Sequence, residues 1–421
     1  MTLRDAVAGA VLALLLVVPC AHAQSPSGAP RLAGAKAAIV MEATTGDVLL
    51  ARDADERRQI ASTTKLMTVL VALQRTDLDD ILSASGYDAL PVESQIGLRP
   101  GERMSVRDLL RATLLPSAND AAAALAVGTM GSTQAFVAEM NRHAERLGLK
   151  NTRFANPIGL DDEDNYSSAR DLAKLAVILR RNEFFRRTVD LPGAVLRSGA
   201  RKRIVVNRNT LVRRVDDVDG VKTGHTRRAG YVLVGSATRD GVTVISVVLG
   251  EPSERARDAD SLALLRYGLS RYDARTVMPE GRVLGRVALR YRSGESVDVI
   301  AGRTVKRVLR SGTRTSVAIG GLPAEVDGPL PRGTRVGTAT IRKGDEVLAR
   351  VPVVTARPVA EAGLGDRLDD ALSRSQTIIA MVLLLVCSLP LLVLRRRAIN
   401  RRRALDAEHR RARRREETPV P

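Results

Sequence analysis

The sequence predicts an α/β domain with a mainly antiparallel sheet, then a small all-β domain and a C-terminal transmembrane helix. The first domain follows from strand-like runs at both ends of the region before residue 275, with amphipathic helices between them. The second follows from short β-rich runs, separated by Gly- and Pro-rich turns, after Met278. The helix follows from eighteen residues without a charge, 377–394, which is close to the length of a bilayer span.

The elements of the α/β domain are read in order from hydrophobic spacing and turn signals. Thr45-Gly46 and Asp240-Gly241 separate paired strand-like runs, and Pro116 ends a helix that begins at Ser105. The expected strands are 37–43, 48–52, 231–237 and 242–249, and the expected helices include 62–74, 119–127, 134–147, 169–180 and 259–272. In the all-β domain, strands are expected over 283–289, 296–300, 316–319, 335–341 and 346–354.

The domain boundaries follow changes in composition along the 421 residues. A signal peptide is expected over 1–23, because an apolar run precedes the small-x-small sequence Ala21-His22-Ala23. The further segments are expected to be the α/β domain over 24–275, an all-β domain over 276–356, a linker over 357–375, a transmembrane helix over 376–394 and a basic tail over 395–421. The linker has leucines at four-residue spacing that suit a helix on a membrane surface, but a solvated spacer is the expectation.

The basic residues at the end of the chain indicate an orientation in the membrane. The tail holds eleven Arg and four acidic residues, so it contributes +7 of the net charge of +19. Positive residues beside a span favour the cytoplasmic side, which places the middle of the chain outside the cytoplasm. The tail is expected to contact anionic lipid head groups. Nucleic acid is not an expected partner, because the chain has no Trp and only 2% aromatic residues for base stacking.

Cysteine and histidine are too scarce for several kinds of chemistry. The only cysteines, Cys20 and Cys387, lie in the terminal apolar segments, so the region between them has no thiol nucleophile and no Cys-based metal site. His143 and His225 are the only histidines outside the terminal segments. His143 is expected to be exposed, because it lies in a helix rich in charge. The sequence therefore predicts a reaction that needs neither a metal ion nor a cofactor.

Three short motifs occur in a fixed order along the α/β domain. They are Ser62-Thr63-Thr64-Lys65, Ser117-Ala118-Asn119 and Lys222-Thr223-Gly224. Each motif alone is common by chance, but the set in this order is typical of class A β-lactamases and penicillin-binding proteins.

The first motif has the parts of an activated nucleophile. Ser62 begins a helix, where backbone N–H groups favour developing negative charge, and Lys65 lies one turn further on the same face. A serine hydroxyl needs a base, and lysine can serve only if its pKa is lowered. Burial and a second cation both lower it, and Lys222 is a candidate for that cation.

The other two motifs are suited to handling the substrate. Ser117 is expected on a loop after Pro116, where its hydroxyl can relay a proton to the leaving amine, and Asn119 can hold the substrate amide. Lys222 and Thr223, expected at the start of a strand, can bind a terminal carboxylate by charge and hydroxyl. Gly224 has no side chain and so lets a substrate backbone lie against that strand.

The stretches around these motifs resemble the low-molecular-mass, penicillin-binding D-alanyl-D-alanine carboxypeptidases. The resemblance covers about residues 35–272, and the β domain resembles the family's second domain only in position, length and strand content. It lies in Ile60-Ala61-Ser62-Thr63-Thr64-Lys65-Leu66-Met67-Thr68, Pro116-Ser117-Ala118-Asn119-Asp120-Ala121-Ala122, Asn156-Pro157-Ile158-Gly159-Leu160, Tyr166-Ser167-Ser168-Ala169-Arg170-Asp171-Leu172 and Asp219-Gly220-Val221-Lys222-Thr223-Gly224-His225-Thr226.

The resemblance implies a β-lactamase/transpeptidase-like fold and a serine D,D-peptidase on the outer face of the bacterial cytoplasmic membrane. Ser62 would be the acylated nucleophile, with Lys65 its base and Ser117 and Asn119 completing the middle motif. Lys222 and Thr223 would hold the substrate carboxylate, with Gly224 beside them, the Ser62 and His225 N–H groups would form an oxyanion hole, and Arg257 would lie near the carboxylate. The partners implied are peptidoglycan stem peptides ending in D-Ala-D-Ala, and β-lactams as covalent inhibitors.

Three other functions remain open from the sequence. A class A β-lactamase carries a Glu-x-x-Leu-Asn loop that positions the deacylating water, and no Leu-Asn pair occurs here. Its middle motif is typically Ser-Asp-Asn, where this chain has Ser117-Ala118-Asn119. A D,D-endopeptidase that cuts crosslinks uses closely similar chemistry. A non-catalytic scaffold that only binds wall peptides is disfavoured by the intact Ser62, Lys65 and Lys222.

Overall fold

A computed structural model of the chain describes residues 28–84, 86–373 and 375–416. The expected signal peptide, 1–23, lies outside the described residues. The chain divides into two units, the first formed by residues up to 274 with 308–311, and the second by 275–307 with the residues from 312 onwards.

The first unit is built on a five-stranded antiparallel sheet, as the sequence predicts. Its strand order is β2-β1-β11-β10-β9, which leaves β9 at one edge. The strands are β1 (Ala37–Glu42), β2 (Val48–Arg52), β3 (Arg58–Gln59), β4 (Ile81–Ser83), β5 (Arg103–Ser105), β6 (Tyr166–Ser167), β7 (Gly193–Leu196), β8 (Arg203–Val206), β9 (Val218–Thr226), β10 (Gly230–Arg239) and β11 (Val242–Glu251).

Helices cover both faces of this sheet. They are α1 (Lys65–Arg75), α2 (Val106–Leu114), α3 (Asn119–Met130), α4 (Thr133–Arg146), α5 (Ala169–Leu179), α6 (Glu183–Val189), α7 (Leu211–Arg214) and α8 (Glu254–Leu269). Because side chains alternate along a strand, Ile39 and Val247 pack against α1–α5, whereas Val40 and Val248 pack against α8. Burial on both faces explains why these strands read as continuous apolar runs.

The last helix of the first unit differs from the prediction at both of its ends. The helix expected over 259–272 begins earlier, at Glu254, because the Ser253 side chain accepts a hydrogen bond from the Ala256 N–H and caps it. It ends at Leu269, and Tyr272 already belongs to a strand. The hairpin β7–β8 and helix α6 were not predicted, because their short runs lack a clear period.

The second unit contains a six-stranded sheet of order β16-β18-β19-β14-β13-β17. Its core includes Val297, Val299, Ile341 and Val351. The strands of this sheet are β13 (Val283–Leu289), β14 (Ser296–Ala301), β16 (Ser316–Gly320), β17 (Glu325–Val326), β18 (Arg335–Lys343) and β19 (Glu346–Thr355). Two further strands, β12 (Tyr272–Met278) and β15 (Val305–Arg310), each include residues of both units. The five strands expected in this region are all present.

The chain ends in two helices, α9 (Leu364–Ser373) and α10 (Ser375–Glu416). Helix α9 lies within the expected linker, and its Leu364, Leu368 and Leu372 are exposed. The choice between a solvated spacer and a helix on a membrane surface stays a prediction. Helix α10 continues through the charge-free stretch into the basic tail, with Pro390 inside it. Among the described residues, one helical segment, 376–410, is long and apolar enough to cross a membrane, and its apolar part is not buried.

Candidate active site

Ser62 and Lys65 lie at the junction between a 3-10 turn, Ala61–Thr64, and helix α1. Lys65 is fully buried, and its Nζ lies 3.0 Å from Ser62 Oγ, 2.6 Å from Asn119 Oδ1 and 2.5 Å from the Ile158 carbonyl oxygen. Three acceptors match the three protons of an ammonium. A neutral amine can still donate to Asn119 and Ile158, which turns its lone pair toward the Ser62 hydroxyl.

The charge state of Lys65 is set by its surroundings. Burial lowers the pKa of Lys65 to about 7, while the Glu93 carboxylate opposes the shift and Arg208 adds to it. Arg208 is thus a cationic contribution that the sequence did not suggest. The suggested interaction between Lys65 and Lys222 is present as well, because Lys65 lowers the pKa of Lys222. A substantial neutral fraction of Lys65 at neutral pH follows, as a base requires.

The middle motif lies between α2 and α3. Ser117 follows Pro116 and has a left-handed backbone, with φ of 67°. Its Oγ is buried and has no hydrogen-bond partner among the described residues. Asn119 begins α3, and its Nδ2 donates to Glu93 Oε2 at 2.5 Å while its Oδ1 accepts from Lys65. The Asn119 amide therefore bridges an amine and a carboxylate.

The third motif lies in the middle of the edge strand β9, not at a strand start as predicted. A Cβ on Gly224 would lie 2.9 Å from the Ser62 backbone nitrogen and 2.7 Å from a Val232 methyl carbon. A Cβ on Gly159, whose φ is 89°, would lie 2.1 Å from the Ala61 carbonyl oxygen. The Ser62 turn is thus held between two glycines, and this close approach is an immediate structural reason for Gly224.

Lys222 shares a face of β9 with Gly224, since side chains alternate along a strand. It is buried, and its Nζ donates to the Thr223 carbonyl oxygen at 2.8 Å. Burial lowers the pKa of Lys222 well below its usual value, and Lys65, Arg208 and Arg257 lower it further. An anion placed close to Lys222 would favour the ammonium form.

An open cleft of about 1950 Å³ passes over these residues. It is lined by Ser62, Ser117, Asn119, Thr223, Gly224, His225, Arg208 and Arg257, whereas the buried Lys65 and Lys222 are not part of its lining. The exposed His225 ring stacks on Tyr231 at a centroid distance of 4.0 Å.

The structure pairs Arg257 more fully than the resemblance implies. It lines the cleft, but its guanidinium is buried against Asp258, at 2.7 and 3.0 Å, and against Glu254, at 2.8 Å. Two carboxylates partly neutralise its charge. Arg208 is exposed in the same cleft and forms no ion pair within the described part of the chain. It is therefore the more available cation for a substrate carboxylate.

Sequence reasoning missed Glu93 as well as Arg208. Glu93 lies on the 86–98 segment, where no helix or strand pattern marks it, and it lines the cleft. Its Oε2 accepts from the Tyr87 hydroxyl at 2.6 Å and from Asn119 Nδ2. Although burial alone raises the pKa of Glu93, these hydrogen bonds hold it below its usual value. A carboxylate therefore lies next to the Lys65–Asn119 pair.

The expectation that His143 is exposed is wrong. The residue is buried on α4, its Nε2 lies 2.7 Å from Gln74 Oε1, and its ring contacts Glu139. Glu139 is a buried carboxylate that forms ion pairs with Arg75, Arg142 and Arg146. The charge pattern that suggested exposure thus belongs to an ion network centred on a buried carboxylate, with its arginines partly exposed. His143 does not line the cleft that contains Ser62.

Comparison with known proteins agrees with this architecture. The profile of the D-alanyl-D-alanine carboxypeptidase family matches residues 23–253, and that of the penicillin-binding protein 5 C-terminal domain matches 272–361. The crystal structure of penicillin-binding protein 5 from Haemophilus influenzae is 29% identical, with a TM-score of 0.58, over 79% of this chain and all of that one. The fold is that of a penicillin-binding protein, as expected.

Two curated relatives extend the likeness over most of the sequence. D-alanyl-D-alanine carboxypeptidase DacF of Bacillus subtilis is 32% identical over 337 residues, which cover 78% of this chain and 87% of the relative. D-alanyl-D-alanine carboxypeptidase DacD of Escherichia coli is 34% identical, with 79% of this chain and 88% of the relative covered. The chain belongs to the D-alanyl-D-alanine carboxypeptidase family.

Proposed function

We propose that the chain is a serine-type D-Ala-D-Ala carboxypeptidase that removes the terminal D-alanine from peptidoglycan stem peptides. The observation that carries this is the buried Lys65 amine, with a pKa of about 7, placed 3.0 Å from the Ser62 hydroxyl. Family membership supplies the substrate class, which is also that of the named relatives.

The geometry supports a two-step reaction. Lys65 takes the Ser62 proton as Oγ attacks the penultimate D-Ala carbonyl, and the Ser62 and His225 N–H groups stabilise the oxyanion. The C–N bond breaks as the proton held by Lys65 is relayed through the Ser117 hydroxyl to the leaving D-alanine amine. Lys65 is then neutral again, Ser117 is unchanged, and an ester on Ser62 remains. Water then hydrolyses the ester and restores the serine. The terminal carboxylate lies near Thr223, Lys222 and Arg208.

Mass spectrometry of the full-length chain in detergent tests the proposal. A stem pentapeptide is expected to lose one D-alanine, while a crosslinked peptide dimer stays intact and Ser62→Ala is inactive on both. Cleavage of the dimer in preference to the pentapeptide would instead identify an endopeptidase. A folded protein that binds both peptides and cuts neither would indicate a scaffold.

Glu93 is proposed as a positioning residue, and its charge is expected to set the acid limb of the pH profile. Ionised Glu93 raises the pKa of Lys65, and Lys65 must be neutral to act as a base. Glu93→Gln can keep the hydrogen bond to Asn119 but loses the charge, so the acid limb of kcat/KM should move to lower pH. Glu93→Asp, which retains the charge, should leave the limb near its original position. A limb that does not move in Glu93→Gln would limit Glu93 to a structural role.

We also propose that α10 anchors the chain in the cytoplasmic membrane, with the first unit outside and the arginine tail inside. The support is the apolar stretch of α10, followed directly by Arg395, Arg396 and Arg397. Protease added to spheroplasts should remove the first unit and leave a protected fragment that carries the tail. An epitope at the C-terminus provides the readout. Loss of that epitope in intact spheroplasts would reverse the orientation.

A further inference from the structure

Exposed aliphatic side chains are concentrated around the cleft. Among the described residues of the first unit, seven large aliphatic side chains are exposed, and four of them line the cleft. These four are Val92 (91% exposed), Leu160 (40%), Ile204 (82%) and Val206 (50%). An apolar surface at the rim of a site indicates that a ligand covers it.

The hairpin β7–β8 holds two of these side chains in a fixed orientation. Burial alternates along β8, so Arg203 and Val205 face inward while Ile204 and Val206 face outward. Arg203 is anchored by two hydrogen bonds to the Glu102 carboxylate, of 2.8 and 2.9 Å, and by one to the Ile96 carbonyl oxygen, of 2.9 Å. The outward face of β8 is therefore a rigid surface and not a loose loop.

Unpaired cations surround these aliphatic side chains. Seven exposed basic residues line the cleft and form no ion pair within the described ranges: Lys36, Arg201, Lys202, Arg208, Arg213, Arg227 and Arg228. Four acidic residues line the cleft. Burial raises the pKa of Glu251 to about 8, and the other three already have partners. Glu93 accepts from Asn119, Asp161 accepts from the Thr226 hydroxyl, and Glu254 pairs with Arg257. The open cleft thus presents more positive charge than one terminal carboxylate can use.

We propose that the hairpin wall, formed by Arg201, Lys202, Ile204 and Val206, is a subsite for the segment of the substrate peptide that precedes D-Ala-D-Ala. The subsite selects peptides with a free carboxylate in that segment. This proposal rests on the proposed function, since D-Ala-D-Ala bound at Ser62 and Thr223 leaves the preceding residues to run along the cleft. Aliphatic side chains between cations suit a chain that carries both alkyl groups and carboxylates.

The experiment compares two acylated pentapeptides that end in D-Ala-D-Ala and differ only in glutamate or glutamine at the two positions before it. At low ionic strength, the full-length chain in detergent is expected to cleave the acidic peptide with a kcat/KM about fivefold higher, because each exposed ion pair contributes little. Salt should reduce this ratio. Arg201→Gln/Lys202→Gln should bring the acidic peptide to the rate of the amide peptide and leave the amide peptide unchanged.

A second double variant, which removes the same number of positive charges, distinguishes an effect of the hairpin wall from an effect of the protein's net positive charge. Lys150 and Arg181 are exposed basic residues of the same unit outside the cleft lining. Lys150→Gln/Arg181→Gln should keep the preference for acid. If this control lost the preference for the acidic peptide as fully as Arg201→Gln/Lys202→Gln, the subsite would be overturned. It would also be overturned if the unaltered chain cleaved the acidic and amide peptides with the same kcat/KM. In either of these cases the chain still releases D-alanine, so the proposed function would stand without the subsite. Failure to cleave either peptide would refute the proposed function, and the subsite with it.

The aliphatic part of the hairpin wall has its own readout. Ile204→Ser removes apolar area from an 82% exposed side chain, so folding should not change. We expect KM to rise for the acidic and amide peptides alike, with kcat unchanged, because contact with a non-reacting part of the substrate contributes uniform binding. An unchanged KM would show that the substrate does not reach Ile204.

Discussion

Benzylpenicillin is expected to add one adduct to the chain and none to the Ser62→Ala variant. The proposed nucleophile, Ser62, lines the cleft, and Nζ of its proposed base, Lys65, lies 3.0 Å from the Ser62 Oγ. Lys65→Ala should slow acylation about 10²- to 10⁴-fold, because it removes the general base. Intact-mass analysis over time measures both effects. Lys150→Ala, at an exposed lysine outside the cleft lining, should acylate at the normal rate.

The adduct is expected to persist for minutes or longer. The cleft does contain a carboxylate, Glu93, which the sequence comparison with β-lactamases did not consider. Its Oε2 already accepts hydrogen bonds from Tyr87 and Asn119, so that oxygen is occupied and poorly placed to activate a hydrolytic water. Rapid turnover of the drug by the unaltered chain would contradict this expectation and identify a β-lactamase.

Lys222→Ala is expected to slow cleavage of peptides with a free C-terminal carboxylate about ten- to a hundredfold, which corresponds to the loss of one charge-assisted hydrogen bond. The loss should be smaller on a peptide with an amidated C-terminus. The buried Lys222 amine lies on β9 beside Thr223, where the carboxylate is proposed to bind. Lys65→Ala should slow cleavage of both peptides alike, by about 10²- to 10⁴-fold, because the proposed base acts on the chemical step.

The Arg208→Gln variant is compared with Lys222→Ala on the free and amidated peptides, because Arg208 is the other candidate partner of the substrate carboxylate. It is exposed in the cleft and also lowers the pKa of Lys65 and Lys222. If Arg208→Gln loses the discrimination between free and amidated peptides while Lys222→Ala slows both equally, the carboxylate partner is Arg208. Lys222 would then act by tuning Lys65. Steady-state rates on the two peptides at one pH decide between these assignments.

The parts of the site that the sequence predicted are those fixed by local geometry. One helical turn joins Ser62 to Lys65, and a proline-terminated helix places Ser117 on a loop, so their positions follow from spacing alone. Contact between the three motifs could be expected only from the family resemblance. The structure brings Asn119 to 2.6 Å from Lys65, although 54 positions separate them.

The missed residues depend on contacts that no local pattern encodes. Glu93 and Arg208 come from irregular segments, and only the packing of those segments brings them to the cleft. His143 shows the converse error, since charges at helical spacing suggested an exposed face but converge on the buried Glu139. In the fold, long apolar strands were predicted well, whereas the short hairpin β7–β8 was not.

The backbone of Ser117 shows that this site is maintained against the stability of the protein. A left-handed conformation at a residue other than glycine costs about 1–3 kcal/mol. Glycine at this position would remove this cost. Selection for thermostability alone would therefore drive Ser117 toward glycine, and the serine marks a trade-off in which marginal stability is exchanged for turnover.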